Sequence, residues 1–235
     1  MKTRLIMTVA ALILLAVSPS WSTPNTTTTE TFDGTVEEAS WRVAEFDAIA
    51  PTGGNPGAYL RVDGLDSAIP RIFTFGTLAQ NFLGDYRSKA VTGLGVDVKL
   101  FAIDFTAQGR PVSLVLSSDM GTPEDTSDDC DAWLVGQKTV PRPGAAWKRF
   151  NFKVASQSTT LPHGWVLVGN GGIDICGDLT PDEAWNRVIT DVERASFQFG
   201  EPDFFYIFQV WSLGFDNARI SQSTHAAPPT LTPTE

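Results

Sequence analysis

The stretch Phe204-Phe-Tyr-Ile-Phe-Gln-Val-Trp-Ser-Leu-Gly-Phe-Asp-Asn-Ala-Arg-Ile220 decides the fold. Its aromatic and β-branched residues predict a buried strand of a β-sandwich, because such side chains fit a pleated sheet packed on one face. The polar pair Asp216 and Asn217 interrupts this apolar run. A buried carboxylate is costly unless it is paired, hydrogen-bonded or bound to a metal. The sequence therefore predicts a Ca²⁺ ion or a hydrogen-bonded strand corner at Asp216.

Several stretches before this one alternate apolar and polar residues with period two, which is typical of strands with one wet face. They lie at 58–62, 71–75, 94–105, 111–116, 132–136, 149–154 and 195–199. Turns rich in Gly and Pro, such as Pro51–Gly57, separate them. Strands with this punctuation predict an all-β fold, a jelly-roll β-sandwich of two antiparallel sheets.

One short helix is expected near 181–192. Thr180 supplies an N-cap hydroxyl, Pro181 stands at the first helical position, and Glu183 completes a capping box. Apolar residues then recur at helical spacing, so the helix is expected to pack one stripe across an end of the sandwich.

The ends of the chain predict export and flexible flanks. Residues 1–22 resemble a signal peptide, with a basic start, an apolar run over 5–17 and small residues around Ser22. This run is shorter than the roughly 20 residues that span a bilayer, although an uncleaved anchor is the alternative. We expect a polar linker at 23–30, the folded domain at 31–221 and a disordered Pro/Thr tail at 222–235. The mature chain is then secreted and extracellular, with no transmembrane span.

The charge balance bears on the class of partner. The chain has 17 basic and 27 acidic side chains, a net charge of −10, and the predicted signal removes only basic ones. Nucleic acid is a poor partner for such a surface, since its binding relies on clustered Lys and Arg. Hard cations such as Ca²⁺ are drawn to it, although acidity is also a common means of keeping a protein soluble.

The two cysteines indicate a disulfide. Cys130 and Cys176 are the only cysteines of the chain, and in an exported protein two cysteines most simply pair. Two separate buried thiols are the alternative.

Two stretches together resemble the laminin B (laminin domain IV) family, whose fold is similar to the galactose-binding jelly rolls. The first is Phe82-Leu-Gly-Asp-Tyr-Arg87, followed by a strand. The second runs from Pro162-His-Gly-Trp165 through the capped helix from Thr180 to Asp191 and the strand Ala195–Gly200 to the closing Leu213-Gly-Phe-Asp-Asn-Ala-Arg-Ile220. The Asp-Asn closing strand is also similar to that of carbohydrate-binding jelly rolls. The resemblance implies a binding domain, with glycan or extracellular matrix material as the ligand class.

The same resemblance implies a structural Ca²⁺ held by Asp216 together with Asp33, which lies in the opening segment Glu30-Thr-Phe-Asp-Gly34. The alternative is that Asp216 and Asn217 satisfy nearby backbone amides without a metal.

A second candidate metal site is the acidic loop at 119–131. Asp119, Asp125 and Asp128 are its candidate ligands, because Ca²⁺ prefers oxygen donors. The loop does not match the EF-hand spacing. A solvated acidic turn braced by the disulfide is the alternative.

Aromatic residues are the candidates for binding a glycan, because the C–H face of a pyranose stacks on an aromatic ring. Trp147 and Trp165 stand at loop edges, which are common places for binding residues. Tyr86 belongs to the motif that carries the resemblance and is the third candidate. The alternative for each is an ordinary place in the core.

Catalysis has little support in the sequence. His163 and His225 are the only histidines, and no hydrolase elbow, metalloprotease pair or phosphate-binding loop is present. We therefore predict a secreted, monomeric, non-catalytic binding domain. The alternatives are a glycan-active hydrolase or lyase and a purely structural or adhesive surface protein.

Overall fold

The computed structural model describes residues 25–43, 47–107, 109–122, 124, 129–169, 172–173 and 176–224. Thirteen named strands and one α-helix make up the regular structure of these residues, beside short 3₁₀ turns at Val36–Glu38 and Thr77–Phe82. The elements are β1 (Asn25–Glu30), β2 (Trp41–Arg42), β3 (Asp47–Ala50), β4 (Tyr59–Ser67), β5 (Arg71–Thr74), β6 (Val91–Ile103), β7 (Pro111–Ser118), β8 (Cys130–Thr139), β9 (Lys148–Lys153), β10 (Trp165–Gly169), β11 (Gly172–Ile173), α1 (Pro181–Thr190), β12 (Arg194–Phe199) and β13 (Gln209–Ser223). Within the described ranges, no helix combines the length and apolar character needed to cross a membrane.

The strands form two antiparallel sheets. The first has the order β3-β4-β13-β6-β9, and β1 pairs with the far half of β13. The second has the order β11-β10-β8-β7-β12-β5-β2. Buried side chains of both sheets meet between them in one apolar cluster. The predicted all-β sandwich is confirmed, and β13 lies inside its sheet rather than at an edge.

Alternation along the strands separates the core from the outer face of the first sheet. In β4, Leu60 and Val62 are fully buried, whereas Arg61 and Asp63 stand on the opposite face. In β9, Phe150 and Phe152 are buried and the residues between and beside them are exposed. This period of two follows from the pleat of a strand. The outer face of the first sheet therefore carries the polar residues that alternate with the buried ones.

Helix α1 begins as its sequence predicts. The backbone N–H of Glu183 donates to the Thr180 hydroxyl, and the Glu183 carboxylate accepts from the Thr180 backbone at 2.9 Å. Trp185, Val188 and Ile189 are buried against the second sheet. The predicted helix and its capping box are confirmed.

The predicted disulfide is confirmed. Cys130, at the start of β8, is joined to Cys176, in the segment before α1, with their Cα atoms 5.4 Å apart. Both residues are buried. The bridge therefore fastens the approach to the helix onto the second sheet.

The first part of the closing stretch does not form the predicted buried strand. β13 begins at Gln209, and the preceding 204–208 segment is a loop after β12. Phe205 and Phe208 are 85% and 71% exposed. The 204–208 segment is apolar at every position, so its composition predicted a strand. Because apolar and polar residues do not alternate in it, the sequence did not indicate which side chains would be buried. Only the second part of the stretch, from Gln209, fits the prediction.

The predicted linker at 23–30 is also corrected. Residues 25–30 form β1, which pairs with β13 from Asn25 opposite Ser223 to Glu30 opposite Ala218. β4 pairs with β13 only as far as Phe215, which leaves the rest of that strand edge open for β1. Threonine suits an extended strand, and backbone hydrogen bonds need no apolar side chains. For the same reason β13 continues to Ser223, past the predicted start of the tail at 222.

The predicted signal peptide at 1–22 lies outside the described residues, as does the tail from 225 onward.

Candidate functional site

Three aromatic rings meet on the outer face of the first sheet above Gly214 of β13. A Cβ atom placed on Gly214 would lie 2.9 Å from Trp147 Cη2 and 3.0 Å from Phe101 Cε2 and Tyr59 Cε2. The Tyr59 and Trp147 ring centroids are 5.2 Å apart with an edge-to-face geometry, and those of Tyr59 and Phe101 are 5.8 Å apart. Glycine is therefore what lets the rings rest on the sheet. We call these three rings the aromatic cluster.

Two cationic side chains flank the aromatic cluster. Arg61 of β4 and Lys99 of β6 are both in register with Gly214, so they stand on either side of it on the same face. The Arg61 guanidinium lies 4.2 Å from the centre of the Phe101 ring, and the Lys99 ammonium lies 5.2 Å from it. Both cations are placed for cation–π contact.

The partners of Arg61 fix its position. Its guanidinium donates to both carboxylate oxygens of Asp63, at 2.6 and 2.9 Å, and to the Tyr59 hydroxyl at 3.1 Å. These hydrogen bonds raise the pKa of Arg61 and lower that of Asp63. The pair remains ionised, and it orients the ring of Tyr59 through the hydroxyl.

A loop covers one side of the aromatic cluster. The indole Nε1–H of Trp147 donates to the carbonyl of Gly53 at 3.0 Å. Asn55, in the same loop, donates through its amide to Asp97 at 2.9 Å and through its backbone N–H to Asp216. The loop is thus attached to the sheet at two points and to the aromatic cluster at a third.

The acidic row beneath this loop is buried but only partly neutralised. Asp97 and Asp216 are in register on neighbouring strands, and both are fully buried. Burial raises the pKa of Asp97, but the Arg149 and Arg219 guanidinium groups and the Asn55 amide outweigh it and lower that pKa overall. Hydrogen bonds of 3.0 and 3.1 Å join the two arginines to Asp97.

Within the described part of the chain no arginine pairs with Asp216, and its pKa is shifted in the opposite direction. Burial is the largest cause that raises its pKa, to about 6, and the charges of Asp97 and Asp33 add to it. The backbone N–H groups of Asn55 and Asn217 act in the opposite direction. The predicted hydrogen-bonded strand corner is therefore present, since Asn217 N–H donates to Asp216 at 2.7 Å and its side-chain amide donates to the Asn55 carbonyl at 2.6 Å.

Of the predicted ligand-binding residues, the structure places Trp147 on this outer face and the other two in the interior. Trp165 is 6% exposed, with its ring centroid 5.0 Å from that of Trp185. Tyr86 is fully buried and its hydroxyl donates to the Phe82 carbonyl. Neither ring has a free face for a sugar, so their assignment as ligand-binding is corrected. Gly164 indicated that Trp165 stands at a loop edge, but it did not indicate which way the indole of Trp165 points.

The aromatic cluster contains two residues that the sequence analysis did not assign, and each carried a signal. Phe101 shares its strand phase with Asp97 and Lys99, so it belongs to the wet face of β6. Tyr59 shares its phase with Arg61 in β4. An aromatic residue at the alternate positions of a strand that otherwise carry polar side chains is a candidate for a binding surface.

The predicted metal ligands fall in different places. Asp33 is exposed, accepts a hydrogen bond from Thr31 at 2.7 Å, and is close enough to raise the pKa of Asp216. Asp119 comes together with Asp191 and Glu193, their oxygens within 4.8 Å of one another. Burial and the Asp119 carboxylate contribute to a raised pKa of Glu193. Asp125 and Asp128 lie outside the described residues.

No family model matches the chain, and no curated protein matches it. Similar solved structures include carbohydrate-binding modules and a laminin domain. The CBM22-1–GH10 modules of a Clostridium thermocellum endo-1,4-β-D-xylanase, complexed with xylohexaose, share 14% identity at a TM-score of 0.46, covering 86% of this chain and 29% of that one. A family 30 carbohydrate-binding module shares 12% identity at a TM-score of 0.45, covering 88% and 93%. The L4b domain of human laminin alpha-2 shares 11% identity at a TM-score of 0.38, covering 79% and 84%. These likenesses concern the fold alone.

Proposed function

We propose that the chain is a non-catalytic binding domain for glycans and that the aromatic cluster is its binding surface. The observation that carries the proposal is the meeting of Tyr59, Phe101 and Trp147 above Gly214 on the outer face of a sheet. Tyr59 is only 4% exposed and packs against the partly exposed rings of Phe101 and Trp147, which are the two that can contact a ligand. Aromatic rings backed by a rigid sheet offer apolar contact area at little entropic cost, and the hydrogen-bonding groups beside them can orient a hydroxylated ligand.

The carboxylates beside the cluster support binding rather than catalysis. Asp63 is held by Arg61, and Asp97 is held by two arginines and an amide. Both have lowered pKa values, whereas a general acid in glycoside hydrolysis needs a raised one. Asp216 has a raised pKa but is fully buried.

The test is retention of the protein on immobilised or soluble polysaccharides. Phe101→Ala removes one ring of the cluster, and we expect it to abolish measurable retention while the melting temperature changes little. Phe205→Ala is the matched control, because it removes the same ring from the exposed 204–208 loop, which is not part of the aromatic cluster. Retention that is equal in wild type and Phe101→Ala, or absent in wild type across neutral and charged glycans, would contradict the proposal.

We also propose that a Ca²⁺ ion stabilises the domain. The support is electrostatic: Asp216 is buried among acidic groups, its pKa is raised, and a cation shared with Asp33 would relieve this repulsion. Each Asp216 oxygen already accepts a backbone N–H, which leaves lone pairs for an ion. Thermal unfolding with Ca²⁺ and with a chelator tests this, with Asp33→Asn and Asp119→Asn separating the two acidic places. A melting temperature indifferent to Ca²⁺ would remove the metal from the proposal.

We also propose that the protein is exported and acts outside the cell. The Cys130–Cys176 bridge supports it, because disulfides persist in oxidising compartments. Immunodetection of the mature chain in culture medium, with an N-terminus near residue 23, is the expected result.

A further inference from the structure

Lys99 differs from the arginines around it, because each of those is paired with a carboxylate. Arg61, Arg149 and Arg219 each lie within ion-pair distance of a carboxylate. Among the described residues, the salt bridges do not include Lys99, whose ammonium lies instead 5.2 Å from the Phe101 ring centre and 5.9 Å from that of Trp147. The side chain is partly exposed. It is thus a positive charge held against the aromatic cluster without a neutralising group.

The surroundings of Lys99 do not supply the missing anion. Asp97, the carboxylate nearest along its own strand on this face, is bound by two arginines. Asp63, across the sheet, is bound by both arms of Arg61. The chain as a whole carries a net charge of −10, so an uncompensated lysine at the centre of one face is contrary to the general surface.

We infer that the aromatic cluster selects anionic glycans, whose carboxylate or sulfate groups pair with Lys99 while a sugar face packs on Phe101 and Trp147. The inference rests on the proposed glycan-binding function and names its ligand class. Arg61 makes a cation–π contact with Phe101 but is already paired with Asp63, so Lys99 is the specificity-determining residue. A charge-assisted hydrogen bond made beside a water-excluding aromatic surface is stronger than one made in open solvent.

The experiment compares matched neutral and anionic glycans. Affinity is measured for dextran against dextran sulfate, and for methyl-esterified polygalacturonate against polygalacturonate, at low and at raised salt. We expect the anionic member of at least one pair to bind at least about tenfold more tightly at low salt, the factor that one charged hydrogen bond supplies. Lys99→Met should abolish that preference, and Lys99→Arg should retain most of it.

The control is Lys153→Met, which changes the net charge by the same amount on the same outer face of the sheet. Lys153 pairs with Gly93, six residues along β6 from Lys99 and therefore about 20 Å away. It should leave the preference intact. Preference for sulfate alone or for carboxylate alone identifies which anion the site takes, and either supports the inference.

Three outcomes overturn the inference: equal affinity for the members of both pairs, a preference that survives in Lys99→Met, or a preference that Lys153→Met removes to the same degree. In each case at least one glycan would still bind, and the proposed function would stand. Absence of binding to every glycan would instead overturn the proposed function itself.

Discussion

Gly214→Ala tests the aromatic cluster with a single added methyl group. Gly214 lies in mid-strand, where alanine meets no conformational strain. Its new Cβ would stand 2.9 Å from Trp147 and 3.0 Å from Phe101 and Tyr59, closer than carbon atoms pack. The three rings must therefore move outward, while the side chains on the core side of β13 stay in place.

The expected magnitude is the balance of two effects. Alanine in a strand interior gains roughly 0.5–1 kcal/mol over glycine through the smaller entropy of the unfolded chain. Overpacking costs about 1–3 kcal/mol. The two ranges leave a net loss of about 0–2.5 kcal/mol in the free energy of unfolding, and we expect about 1 kcal/mol because side chains rather than backbone give way. Glycan affinity should fall by about tenfold or more, because the displaced rings no longer offer a common surface.

Urea unfolding and affinity electrophoresis on a glycan gel measure the two effects. Trp147→Phe provides the matched background, since phenylalanine keeps a ring but lacks the Cη2 atom nearest to Gly214. In that background Gly214→Ala should cost about 1 kcal/mol less than it does in the wild type, the coupling expected of residues in contact. Strictly additive stabilities, or unchanged affinity in Gly214→Ala, would refute the reasoning.

Two further predictions concern stability. The folded-state pKa of Asp216 is raised from 3.8 to about 6, so the folded protein binds its proton more tightly than the unfolded chain does, and stability falls as the pH rises through this window. The fall is about 3 kcal/mol for a shift of about two pH units. Asp216→Asn should lack this fall when urea unfolding is measured between about pH 4 and pH 7 with chelator present. Parallel plots of unfolding free energy against pH for the wild type and Asp216→Asn would contradict the assignment. The double variant Cys130→Ala, Cys176→Ala should lose roughly 3–4 kcal/mol of unfolding free energy, measured against wild type with and without reductant; equal midpoints would show that the bridge contributes nothing.

Local patterns sufficed for several elements of this fold. Alternation predicted β9 from Phe150 and Phe152, and the capping box predicted α1 from Thr180 and Glu183. Both depend on residues within a few positions of each other. The exposed 204–208 loop was predicted wrongly because its composition suits a strand while the register of β13 leaves it outside the sheet.

The aromatic cluster could be predicted only in part, because it is assembled across strands. Tyr59, Phe101 and Trp147 belong to different parts of the chain, and only the register of β4, β6 and β13 brings them above Gly214. Strand phase could have placed Phe101 on the wet face. It could not have shown that a glycine 113 residues later would lie beneath it, nor that Trp165 would face the interior.

The acidic row and the aromatic cluster depend on each other. The acidic row is structural, whereas the aromatic cluster is proposed to bind the ligand. Asp97 and Asp216 hold Asn55, and the loop that contains Asn55 accepts the indole hydrogen bond of Trp147 through Gly53. The buried acids are therefore the means by which the sheet orients a ring of the aromatic cluster. Since arginines lower the pKa of Asp97 whereas the pKa of Asp216 is raised, we expect the attachment at Asp216 to be the one that responds to protonation or to the proposed Ca²⁺ ion. We therefore expect a change at Asp216 to reach the proposed binding surface through the loop, without any contact between the carboxylate and a ligand.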